Sequence, residues 1–261
     1  MENEMKRITT TLALLCALPL TAAAAEEPFR WTGKLAAGQA IEIKGVNGGI
    51  TATGGAGGEV EVTALKKGRR SDPGEVKIEV VEHADGVTIC AVYPSEGRAN
   101  ECVAGEGGRM NVRNNDVNVE FRVAVPAGVR FVGRTVNGGI EATGLKADAE
   151  AHTVNGGVEL DSTGTARAQT VNGGITARSG KADWTGTLKL QTVNGGIEVT
   201  MPEGLSADVK ASTVNGDIST DFPLTVTGRI AKRKLQGTIG AGGRMLEMAT
   251  VNGGIELKKG S

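Results

Sequence analysis

An all-β fold, a single-stranded parallel β-solenoid, is the architecture this sequence predicts, and three observations predict it. One pentapeptide recurs at fixed phase, side chains alternate apolar and polar on both sides of it, and the composition suits a thin apolar interior. Val-Asn-Gly-Gly-Ile, or a single-residue variant of it, occupies residues 46–50, 136–140, 154–158, 171–175, 193–197, 214–218 and 251–255. Only Val158 and Asp217 depart from it. Asn137, Asn155, Asn172, Asn194, Asn215 and Asn252 follow one another at 18, 17, 22, 21 and 37 residues. A period of about 20 residues marks a repeat architecture, in which one unit cannot bury its apolar face without its neighbours. The last interval reads as about two coils.

The flanks of the motif define the local structure. Six copies carry Thr before the Val: Thr135, Thr153, Thr170, Thr192, Thr213 and Thr250. Upstream, small or apolar residues (Ala149 and Ala151, Leu188 and Leu190, Val209 and Ala211) alternate with polar ones (Glu150 and His152, Lys189 and Gln191). Downstream the alternation resumes, as in Ile140 and Ala142 or Ile197 and Val199. Period-2 alternation on both sides of a turn means strand, turn, strand with one face buried. Asn-Gly supplies the turn, because both residues tolerate positive φ.

Two folds fit this pattern. Asn-Gly between alternating strands is a strong hairpin signal and would give an antiparallel meander. A parallel β-solenoid would instead place each motif at the corner of a coil. The fixed phase of Thr, Val, Asn, Gly and Ile favours the solenoid, because identical residues then stack about 4.8 Å apart. Asn47, Asn137, Asn155, Asn172, Asn194, Asn215 and Asn252 would form a structural corner with amide-to-amide bonds. Gly is 40 of 261 residues and aromatics only 3%. Ala, Val, Ile, Leu and Thr can fill a narrow interior without large rings.

Taken in order, residues 1–25 read as a signal peptide. Lys6 and Arg7 precede an apolar run over residues 12–20, and Ala22 to Ala25 supply a cleavage site. The run is too short to span a membrane, so no transmembrane segment is expected after cleavage. Cys16 reads as part of the apolar run. Residues 26–261 read as one solenoid domain. Within it, residues 26–133 form an irregular N-terminal part with an inserted antiparallel ribbon, and residues 134–261 the regular array. Strand-like runs cover residues 59–64, 76–81, 87–92 and 117–125, with Ala84-Asp85-Gly86 as a hairpin turn. Insertions at residues 181–184 and 201–204 lengthen coils opposite the Asn-Gly corners. Gly237-Thr238-Ile239-Gly240 reads as the coil without a motif. After export two cysteines remain, and an even pair in an exported protein predicts a Cys90–Cys102 disulfide.

The Thr-Val-Asn-Gly-Gly-Ile repeats, the opening Phe29-Arg30-Trp31 and the closing residues 237–243 followed by residues 250–255 resemble the bacterial putative-adhesin family of exported β-strand-repeat proteins of unknown function. The resemblance covers nearly the whole mature chain. It implies a right-handed solenoid and a non-enzymatic role in the envelope, and it supplies no catalytic or binding residues.

Chemical motifs are sparse. There is no Gly-x-Ser-x-Gly elbow, and residues 54–58 and 240–243 lack the Lys-Ser/Thr of a phosphate loop. His83 and His152 read as surface residues, and no metal or cofactor is expected. The net charge of −1 gives no electrostatic case for nucleic acid. One outward column is partly acidic: Glu141, Glu159, Thr176, Glu198, Ser219 and Glu256 lie six residues past each Thr. It reads first as a solvated face, and alternatively as a strip for cations, basic protein surfaces or glycans. Trp31 and Trp184 each read as an end cap or a loop packing residue, with sugar stacking the alternative. Three function classes follow: an adhesin-like structural or binding module with a protein or glycan partner at the periplasm or cell surface, an envelope scaffold or signalling accessory binding another protein, and a carbohydrate-active β-helix enzyme. The enzyme class ranks last, because a glycosidase needs carboxylates converging in a groove.

Overall fold

A computed structural model describes residues 27–226 and 233–260. The expected signal peptide, with Cys16, lies outside the described residues. In chain order the strands are β1 (Phe29–Gly33), β2 (Ala40–Lys44), β3 (Ile50–Gly54), β4 (Val60–Lys67), β5 (Lys77–His83), β6 (Gly86–Val92) and β7 (Asn118–Val125). There follow β8 (Arg130–Arg134), β9 (Ile140–Leu145), β10 (Ala149–His152), β11 (Val158–Ser162), β12 (Ala166–Gln169), β13 (Ile175–Ser179), β14 (Thr187–Gln191) and β15 (Ile197–Met201). The last are β16 (Ala207–Ser212), β17 (Ile218–Thr220), β18 (Lys234–Ile239), β19 (Met245–Ala249) and β20 (Ile255–Lys259).

These strands form two ten-stranded sheets. Sheet A runs β1-β4-β7-β3-β9-β11-β13-β15-β20-β17, and sheet B runs β5-β6-β2-β8-β10-β12-β14-β19-β16-β18. Each motif-bearing coil gives one strand to sheet B, turns at its Thr-Val-Asn-Gly-Gly corner, and gives the next strand to sheet A. Strands of successive coils pair in parallel and in register: Ala149 lies beside Ala166, Val158 beside Ile175, and Ile197 beside Ile255. Register is held because a one-residue slip would turn every apolar side chain to solvent. The inner faces meet in one core: Ala151, Ala168, Leu188, Leu190 and Leu246 from sheet B, Ala142, Leu160, Val199 and Leu257 from sheet A. The largest fully buried side chains, Tyr93, Phe121 and Phe131, belong to the N-terminal coils.

The sheets are mixed, not purely parallel. β1 with β4, β4 with β7, and β5 with β6 pair antiparallel. These strands cap one end of the stack and include the ribbon expected in the N-terminal half. At the other end β18 pairs antiparallel with β16, which corrects the reading of residues 237–240 as a coil. The physical reason is the open edge. A parallel array ends in a row of unpaired N–H and C=O groups, and a chain folding back on itself covers them.

Stacking order also departs from chain order. β19 lies between β14 and β16, and β20 between β15 and β17, so the final coil inserts into the array. The preceding coil is displaced to the end. Its three-residue strand, its half-buried Ile218 and its Asp217 suit a position with only one neighbour. The coil of residues 251–255 carries the unaltered motif and takes the interior place. Likewise β6 and β7 stack outside β2 and β3.

Candidate functional site

The corner is built from five columns: Thr, Val, Asn and two glycines. Thr turns inward: five of the six motif Thr hydroxyls donate to the carbonyl of the first glycine one coil below at 2.8–2.9 Å, from Thr153 to Gly138, Thr170 to Gly156, Thr192 to Gly173, Thr213 to Gly253 and Thr250 to Gly195. Thr135 donates likewise to Gly48 at 3.0 Å. These hydroxyls are buried and satisfied, so each Thr ties two coils together. Val turns outward and stays about two-fifths exposed in Val136, Val154, Val171, Val193 and Val251.

The seven Asn side chains form one ladder. Six of the seven Nδ2 groups donate to the Oδ1 of the coil beneath: Asn137 to Asn47, Asn155 to Asn137, Asn172 to Asn155, Asn194 to Asn172, Asn252 to Asn194 and Asn215 to Asn252, at 2.7–2.9 Å. The backbone repeats the connection, for Gly156 N–H donates to Asn172 O and Gly173 N–H to Asn194 O.

The two glycines have different reasons to be glycine. Sequence reasoning assigns positive φ to the Asn-Gly pair, that is, to Asn and the first glycine, yet no motif Asn has it. Of the first glycines only Gly48, Gly195 and Gly253 have positive φ, the latter two near the extended limit. What they share is contact: a Cβ on Gly138, Gly156, Gly173, Gly195, Gly216 or Gly253 would sit 2.0–2.1 Å from a carbonyl oxygen of the adjacent coil. The second glycine is much less constrained, with the nearest atom to an added Cβ at 3.2–3.4 Å in Gly49, Gly139, Gly196 and Gly254. A Cβ on Gly157 or Gly174 would meet its nearest atom at 3.6 Å, and Asp217 carries a side chain at the equivalent position.

The second glycines therefore line an open trough on the outer face of sheet A. Two shallow depressions of about 470 and 480 Å³ adjoin at Gly174 and Thr176. Their floor includes Gly49, Gly139, Gly157, Gly174, Gly196 and Gly254, and their wall is the acidic column. That column is in register: Glu159 lies beside Glu141 and Thr176, Glu198 beside Thr176 and Glu256, and Ser219 beside Glu256. Lys258 approaches Glu198 at 3.0 Å and Glu256 at 3.5 Å. The bond to Glu198 raises the Lys258 pKa above the ordinary lysine value. Among the described residues, no group of three or more His, Cys, Asp or Glu is placed to hold a metal ion.

A second cluster, on sheet B, escaped the sequence reading. Glu42 is buried; its Oε2 accepts from Thr88 Oγ1 and from the Gly105 N–H, both at 2.8 Å, and its Oε1 accepts from Arg134 Nε at 3.0 Å. Arg134 reaches Glu150 at 3.1 Å, and His152 Nε2 donates to the same carboxylate at 2.7 Å. Because the single Thr88 proton serves Glu42, His83 Nε2 is the donor in its 3.1 Å contact with Thr88. The His152 hydrogen bond is the main cause of a Glu150 pKa below the usual carboxylate range. Lys44 Nζ donates to the carbonyls of Val103, Gly105 and Gly107. Burial lowers its pKa, against the neighbouring Glu42 charge. Cys90 and Cys102 are joined, with Cα atoms 5.6 Å apart. Together these contacts fasten the loop after β6 onto sheet B. No local signal in the sequence pairs residues so far apart as Glu42 and Gly105. Trp184 is buried, with Nε1 donating to Met245 O at 3.1 Å, and Trp31 packs half-buried on the edge strand β1.

One further coil was legible and missed. Phe121 pairs with Ile50, which puts Val117-Asn118-Val119-Glu120-Phe121 in phase with the first motif. Val119 stands where a first glycine would, because the strand beyond it is the antiparallel β4, with no parallel corner below to clash.

Stacked coils with an asparagine corner define a β-repeat protein. Residues 133–258, just under half of the chain, match the family described as Toastrack DUF4097. This accords with the resemblance to a putative-adhesin family of unknown function. No curated protein matches the chain. A solved structure of a putative cell adhesion protein from Clostridium sporogenes is similar at 11% identity and a TM-score of 0.46, covering 90% of this chain and 100% of that one. A putative adhesin from Bacteroides fragilis is similar at 10% identity and a TM-score of 0.28, covering 90% and 97%. Among the described residues no helix is long and apolar enough to cross a membrane.

Proposed function

We propose that this chain is an exported, non-enzymatic, adhesin-like binding module of the bacterial envelope. Its coils wind as one right-handed β-solenoid domain, and its ligand lies along the outer face of sheet A. One observation carries the reading: the second-glycine column is bare in six of seven coils although a Cβ there would meet its nearest atom only at 3.2–3.6 Å, against 2.0–2.2 Å at the first glycine. The bare column leaves a trough beside Glu141, Glu159, Glu198 and Glu256. An extended basic segment of a partner protein suits that trough, since its backbone can lie over the glycines while its cations meet the carboxylates. The disulfide supports export, because such bonds persist in oxidising compartments.

The test uses a fluorescent lysine-rich peptide and a neutral oligosaccharide as probes. The peptide is expected to bind, and to bind less as salt rises. Replacing Glu141, Glu159, Glu198 and Glu256 by Gln should abolish binding. Replacing four exposed acids elsewhere (Glu75, Glu82, Glu96 and Glu106) should leave it. Equal losses in the two variants would reduce the effect to net charge and refute the site. Preference for the oligosaccharide would move the assignment to a glycan.

A further inference from the structure

We infer that Asn215 is a built-in site of spontaneous amide modification, while the array shields the other six Asn-Gly pairs. Asn-Gly is chemically labile. The backbone nitrogen of the glycine, losing its proton to solvent base, attacks the side-chain Cγ. A C–N bond forms, the Cγ–Nδ2 bond breaks, and ammonia leaves with a proton from solvent. Water then opens the resulting succinimide at either carbonyl, leaving aspartate or its β-linked isomer. The glycine nitrogen must therefore be free to attack.

In six corners it is held. The N–H groups of Gly48, Gly138, Gly156, Gly173, Gly195 and Gly253 donate to Asn137, Asn155, Asn172, Asn194, Asn252 and Asn215 O at 2.8–2.9 Å. In each of these corners the Asn Oδ1 also accepts from the next Asn of the ladder. The seventh corner is the last rung. Among the described residues neither Gly216 N–H nor Asn215 Oδ1 has a partner: β18 covers the β16 side of this coil, but no further Asn-Gly corner stacks on Asn215. Its Val214 is 54% exposed, against 38–39% for the Val of the five interior rungs. Only the insertion of β19 and β20 makes Asn215 terminal; in chain order Asn252 would hold that place.

The sequence provides its own control. All seven sites read Val-Asn-Gly, so local chemistry is the same at each and differences in rate report structure. Conversion at Asn215 removes its bond to Asn252 and adds a carboxylate beside Asp217. The β-linked product also lengthens the backbone at the corner, which would loosen the terminal coil.

The experiment incubates the folded full chain, and the same chain in urea, at mildly alkaline pH. Digestion and peptide mapping then score amide-to-acid conversion at each site. In the folded protein Asn215 should convert on the order of tenfold faster than any other site, the factor one net hydrogen bond supplies. In urea all seven should convert at similar rates. Equal rates in the folded protein would overturn the inference. So would a urea pattern that still singles out Asn215, since the selectivity would then be local.

Discussion

At the scale of residues, the corner separates two glycines that look alike in the sequence. The first is dictated by the approach of the next coil and the second is not. Gly173→Ala would put Cβ 2.0 Å from Gly156 O, whereas Gly174→Ala meets its nearest atom at 3.6 Å. Forcing an overlap with backbone deep in a stack costs roughly 2–3 kcal/mol, as overpacking does. Thermal melts of the two variants are the measurement. Gly173→Ala should lower the Tm clearly and Gly174→Ala should leave it within a degree or two of the wild type. Similar melts would mean that coil spacing yields to a methyl group.

At the scale of elements, the charged row on sheet B joins β2, β6, β8 and β10 and holds the disulfide loop. Its pH response follows from Glu150. The ordinary value for this carboxyl is 4.5, and in the folded protein it lies lower, chiefly through the His152 hydrogen bond. A carboxyl depressed on folding adds stability that is fully present above its unfolded pKa and disappears as pH falls through its folded pKa. His152→Ala removes the main cause, so the Glu150 pKa should rise toward 4.5. The acid-unfolding midpoint should move to higher pH. Adding Glu150→Gln to His152→Ala should shift it little further. NMR titration of the Glu150 carboxyl reads the same change directly, and an unmoved pKa would assign the depression to Arg134 and Arg167 instead.

At the scale of the whole molecule, the order of coils matters more than their number. The coil of residues 245–259 sits between two coils that precede it in sequence, so the array closes only when it enters. Stability in stacked repeats is a sum of unit and neighbour terms. An interior coil has two neighbours and a terminal coil one. Hydrogen exchange should therefore find the corner amides of Asn252 and Gly253 as protected as those of Asn194 and Gly195, despite their closeness to the C-terminus. The amides of residues 215–220 should exchange sooner. The reverse pattern, with protection falling toward the C-terminus in chain order, would contradict the insertion. Folding should also be slow, because interior pairing waits on contacts distant in sequence.

How much was legible in the sequence follows from these particulars. Alternation around Thr-Val-Asn-Gly-Gly-Ile determined strands, corners and the inward face, because period-2 patterning and a repeated phase are local properties. The two cysteines with the export-like opening determined the disulfide. Val117-Asn118 was readable as a degenerate corner, but the loss of both glycines hid it. Three things were decided only by tertiary structure. The place of the final coil depends on which unit best tolerates an open side, which no single repeat encodes. The reason for the first glycine is a contact between coils, not a torsion within one. The Glu42 row joins residues up to 92 positions apart in sequence, brought together by sheet register alone. Local pattern sets what each unit is; which units touch is set by the pairing and burial of the folded chain.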